Sequence, residues 1–204
     1  MLLQLERKTS AYLIIAFILL TVIGTLSHEL GHYCMAKYYY GFHTQLSYNY
    51  TFWDNETAQE NFWITFWGPL QTMITGTLGF IFLVRTAPAA SYLSFKKWCL
   101  VFLSLFWMRE PFDLLMWVAK RISTGFFQNT NDEVKMGIYW GLPDGTLLIL
   151  CGIIGLLITL FIIFKIIPPR ERFTFIFSGS IGGAAGFIIW MMWLGPILLP
   201  YTEN

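Results

Sequence analysis

The chain has 204 residues, of which 56% are hydrophobic, 19% aromatic and only 12% charged. A soluble domain of this length cannot hide so much apolar surface, so the composition predicts an all-α polytopic membrane protein, one integral-membrane domain over residues 1–204. A net charge of +1 gives no electrostatic footprint for nucleic acid. The cysteines Cys34, Cys99 and Cys151 are odd in number and too far apart for a disulfide framework or a thiolate zinc site.

Five apolar segments are long enough to cross a bilayer, each needing about 20 residues. They are Ala11–Lys37, Phe62–Val84, Trp98–Ala119, Thr146–Phe164 and Phe173–Leu199, which predicts a bundle of about five transmembrane helices in contact with lipid. Leu13–Leu26 has the character of a secretory signal, but no small-residue cleavage site follows, so the segment is expected to remain in the chain. Between the first two segments, residues 41–61 hold Asp54, Glu56 and Glu60 among aromatics. The alternation in Gln45–Phe52 suggests a short hairpin or a segment lying in the interface. Lys120–Leu142 is the longest polar stretch, and Pro168-Pro169-Arg170-Glu171-Arg172 separates the last two segments. Arg7, Lys8, Arg85, Lys96, Lys97, Lys165, Arg170 and Arg172 fall on one side, against Lys37, Lys120, Arg121 and Lys135 on the other, which places the N-terminus in the cytoplasm.

His28-Glu29-Leu30-Gly31-His32 lies near the end of the first segment. On a helix the two histidines are one turn apart on one face, where they can hold a divalent cation, usually zinc, with Glu29 beside it as a base. Ionisable side chains in or beside a membrane are costly and are usually kept for function. A catalytic zinc needs a third protein ligand and an open fourth position. Two further crossings return the chain to the same face at about Lys120, so Asp113, Asp132 and Asp144 are all on the correct side, while Glu6 and Glu171 are on the other. Asp113 and Glu110 stand within a turn of Arg109 and read as neutralising partners. Asp144, in Leu142-Pro143-Asp144-Gly145, reads as a turn that starts the fourth crossing. Asp132 sits in a polar stretch able to fold back over the first helix end, and it also suits the N-cap of a helix through Tyr139. His43, in an aromatic loop, reads as an interface residue.

An apolar helix ending in this motif, followed by a crossing that opens on Gly68-Pro69-Leu70, resembles the site-2 protease family of intramembrane zinc metalloproteases. The resemblance covers roughly Ile14 to Gly145. Many members carry a substrate-contacting asparagine shortly after the Gly-Pro; that position here is Thr72, preceded by Gln71. The family's main branch takes its third ligand from an Asp-Gly, which Pro143-Asp144-Gly145 resembles. A compact branch uses Ser-Asp-Ala opening a short helix that ends in Gly-x-Pro, and Asn131-Asp132-Glu133 followed by Gly141-Leu142-Pro143 is closer to that in order and spacing. The resemblance implies one zinc per chain on His28, His32 and Asp132, with Glu29 as catalytic base. It further implies membrane-protein or peptide substrates, a bacterial cell membrane, and a metalloprotease core at about 11–145 with two further helices at 146–199. Two other readings of the same residues are a structural or sensory zinc site and a zinc hydrolase of lipid or small amide substrates.

Overall fold

The computed structural model describes residues 5–54, 61–86, 93–127 and 130–201; Glu56, Glu60 and Asn129 lie outside these. Among the described residues four helices are long and apolar enough to cross a membrane: Arg7–Tyr39, Phe62–Thr86, Thr146–Ile166 and Arg172–Leu198. The first comprises helix α1 (Arg7–Cys34) and a wider π turn at Met35–Tyr39, and the second is helix α2 (Phe62–Thr86). The expected third crossing, Trp98–Ala119, is not a single apolar helix, and the count of five is corrected accordingly. It is divided into α3 (Phe95–Ser104), a 3₁₀ turn at Leu105–Met108 and α4 (Arg109–Thr124). Two features of the sequence cause the break. Pro111 has no N–H to give the Trp107 carbonyl one turn back, and Arg109, Glu110 and Asp113 put ionisable groups where apolar ones were needed.

The divided segment still makes the return journey. Leu103 and Trp107 lie against Gly79 and Gly76 of α2, so α3 runs antiparallel to it. Beyond the break, α4 runs antiparallel to α6 (Thr146–Phe161), with Leu114 against Gly152 and the Trp107 carbonyl against Gly155. Residues 130–139 therefore arrive at the end of the bundle where α1 finishes, and form the short helix α5 (Asp132–Tyr139). Helix α7 (Arg172–Ile188) lies along α1, with Gly182 and Gly186 admitting the α1 backbone at Ile14 and Ile18. Small residues at each crossing allow this close approach where lipid gives no hydrophobic drive between helices. The Arg172 guanidinium closes the preceding helix by donating to the carbonyls of Phe164 (2.6 Å) and Ile167 (3.2 Å). A last turn, α8 (Gly195–Leu198), ends the bundle.

The two ends of the bundle differ in character. Leu13, Phe17, Leu83, Val101, Leu105, Ile162, Ile167 and Phe175 form a dry core at one end, with Phe17 in edge contact with Phe102 and Phe175. Arg7 to His28 spans about 32 Å along a helix at 1.5 Å per residue, close to the full hydrocarbon thickness, so the histidines are toward the opposite end of the bundle. Over that end lies the expected hairpin, β1 (Thr44–Leu46) antiparallel to β2 (Thr51–Trp53), with Leu46 opposite Thr51. Trp53 anchors it in a small core with Ala36 and Ile64. Tyr48 ties its turn to the C-terminal part of the bundle, accepting from Trp190 Nε1 (2.9 Å) and donating to the Leu199 carbonyl (3.1 Å).

Candidate metal centre

His28 and His32 project from the last turns of α1 and are 0% and 6% exposed. Their Nε2 atoms are 3.1 Å apart, and Asp132 Oδ2, from the first residue of α5, is 3.1 Å from one and 3.2 Å from the other. The far nitrogen of each ring is already engaged. His32 Nδ1 is 2.7 Å from the Ile64 carbonyl, which can only accept, so this nitrogen carries the proton. His28 Nδ1 is 3.2 Å from the Thr72 hydroxyl, which itself donates to the Gly68 carbonyl and so accepts from the ring. In the neutral imidazoles both Nε2 atoms are therefore bare lone pairs aimed at a carboxylate oxygen.

Three acceptors with no proton between them repel one another unless a cation sits among them. Ligand atoms about 2.0–2.1 Å from a tetrahedral zinc are about 3.3 Å apart, close to the 3.1–3.2 Å edges found here. The donor set and its spacing thus fit a zinc ion. Gly68 forms the back wall: a methyl there would overlap the His32 ring and come within 2.8 Å of His28 Nε2. Gly31, inside the motif, admits the α2 backbone at Trp67 and Gly68 for the same reason.

Glu29 is 6% exposed, and one of its carboxylate oxygens is within 4.8 Å of the nearest offered atoms of both histidines. His28, Glu29 and His32 thus form a group that could hold a metal ion. The Thr51 hydroxyl on β2 is 3.0 Å from Glu29 Oε2 and 2.9 Å from the Glu29 carbonyl, so one proton is shared between them and the hairpin holds the carboxylate in place. Glu29, His32 and Asp132 all line a cavity of about 270 Å³, walled also by Tyr50, Trp53, Arg109, Phe112 and Trp117.

The other acids are disposed differently. Asp144 is exposed in the turn before α6 and does not line the cavity. Asp113 lines it but is paired with Arg109 at 3.3 Å, as the sequence suggests. Glu110 does not join that pair. It is 0% exposed, beside Glu133 of α5 at 2%, and burial, reinforced by Glu110, pushes the Glu133 carboxyl well above its ordinary range. Asp132 is not the cap of α5, a position taken by Asn131. Gly68-Pro69 is within α2 and not at its entrance, and Thr72 faces His28. His43 pairs with Asp54 at 3.2 Å on the surface. Thr51, Thr72 and the Ile64 carbonyl are the partners that the sequence does not announce; their only signal is a hydroxyl one turn after Gly68 in an otherwise apolar helix. No protein-family model, curated protein or solved structure matches this chain.

Proposed function

We propose that this chain is an intramembrane zinc metallopeptidase, similar to the compact branch of the site-2 protease family, hydrolysing peptide bonds of membrane-protein or peptide substrates. One observation carries the reading: two imidazole lone pairs and a carboxylate oxygen converge within 3.1–3.2 Å, with both ring protons committed on the far side. His28, His32 and Asp132 would hold the metal. Zinc bound there supplies a Lewis acid that polarises a carbonyl and brings the pKa of water to about 7. Three protein ligands beside an open cavity match the pattern of catalytic sites, whereas structural sites are closed by four.

The chain's own residues account for the rest of the chemistry. Glu29, next to the ligands without being one, accepts a proton from the attacking water and delivers it to the leaving amine. Thr51 orients that carboxylate from the hairpin. A membrane-spanning substrate must unwind locally before its carbonyl can be reached, because a helix commits those carbonyls to its own hydrogen bonds. The test is reconstitution of wild type and Glu29→Gln in liposomes with transmembrane peptides, followed by mass spectrometry of products and metal. Cleavage by wild type, with a variant that keeps zinc and yields no product, supports the reading. Equal turnover by the variant refutes Glu29 as the base, and zinc without any peptide cleavage favours a structural site or a lipid hydrolase.

A further inference from the structure

Arg109 lines the same cavity as Glu29, His32 and Asp132. It is the first residue of α4, directly after the 3₁₀ turn, so the break at Pro111 sets where its side chain enters the cavity. Its side chain is 28% exposed. The charge is held by Asp113, whose Oδ2 is 3.3 Å from Nε, but the Nε–H itself is buried without a hydrogen-bond acceptor among the described residues. Glu110, the other acid within reach along the chain, is fully buried within electrostatic range of Arg109 and near Glu133. The guanidinium is also within electrostatic range of Glu29 and Asp132. Lys120 and Lys135, the other cations lining the cavity, are exposed at its rim.

A permanently charged, planar donor lining a cavity is worth most where negative charge appears only during the reaction. We propose that Arg109 is a catalytic residue, donating N–H bonds to the oxygen of the scissile carbonyl as that oxygen becomes an anion; this rests on the peptidase reading above. As the water oxygen bonds to the carbonyl carbon, the C=O π pair moves onto the oxygen facing Arg109 and one water proton passes to Glu29. When the C–N bond breaks, the carbonyl re-forms and the proton leaves on the amine nitrogen.

The experiment uses the full chain in detergent, loaded with cobalt(II), whose visible bands report an anion entering the site. The probe is methylphosphonate, a tetrahedral oxyanion. Wild type is expected to bind it saturably, and Arg109→Met to bind it roughly tenfold more weakly or worse while taking up cobalt normally. Lys165→Met, which removes a charge at the far end of the bundle, is expected to match wild type. Wild-type affinity in Arg109→Met, no methylphosphonate binding by cobalt-loaded wild type, or loss of cobalt in Arg109→Met overturns the assignment. Should Arg109→Met not fold, Arg109→Lys, which keeps the Asp113 pair, decides: weaker binding supports the assignment and unchanged binding overturns it. Failure of wild type to take up cobalt overturns the metal site itself, and is thereby distinguished from failure of Arg109 alone.

Discussion

Gly68→Ala is expected to damage the metal centre through one added methyl group. That methyl would be 2.5 Å from His32 Cε1 and 2.8 Å from His28 Nε2, and closer still to His32 Nε2. Ordinary contact begins at 3.4 Å, so the His32 ring must retreat by more than about 0.9 Å and the His28 ring by about 0.6 Å, unless the helices separate. Metal–ligand bonds tolerate only about 0.2 Å, so neither ring can both clear the methyl and keep its place. Overpacking of this kind costs about 1–3 kcal/mol of stability, and misplaced imidazoles should weaken zinc binding by about 100-fold or more. Competition with a fluorescent chelator measures the affinity, and thermal melting in detergent measures the stability. Gly24→Ala, on α1 with nothing within 4 Å of the new methyl, is the matched control and should retain wild-type zinc affinity. Wild-type zinc affinity in Gly68→Ala would refute the assignment of Gly68 as the wall behind the two imidazoles.

Asp132→Ala should lower zinc affinity by more than about 100-fold while Asp144→Ala leaves it unchanged; the same competition assay applied to both decides between the two alignments of the third ligand. Thr72→Val keeps the shape of the side chain but removes the acceptor for His28 Nδ1, and should cost about 10–100-fold in zinc affinity. Thr51→Val frees the Glu29 carboxylate from the hairpin; turnover should fall by roughly tenfold or more with zinc content intact, and equal turnover would remove Thr51 from the account.

The parts of the fold that follow a period were legible in the sequence. The apolar runs give α1, α2, α6 and α7, and the alternation before Trp53 gives the hairpin. The one-turn spacing of His28 and His32 was readable because both belong to one helix. What escaped depends on contacts between distant residues. Pro111 and three ionisable groups divide the third segment, a local signal that an overall apolar count hides. Glu110 reads as a partner of Arg109 from spacing alone, and the fold also brings Glu133 near it, because α5 crosses where no local rule could place it. Thr51 and Thr72 look like ordinary polar residues until β2 and α2 bring them to Glu29 and His28. Topology did indicate that residues 113–144 return to the motif's face. It could not choose among three aspartates there, since that choice rests on the side chains that surround each one.

Metal analysis of the purified full chain tests the central claim most directly, measured by mass spectrometry on protein prepared without added metal or chelator and again after exposure to zinc. The expected result is about one zinc per chain in wild type, falling to background when His28 and His32 are both replaced by alanine. Wild-type protein that is free of zinc and takes none up, or a double variant that keeps its zinc, would contradict the metal centre and the peptidase reading built on it.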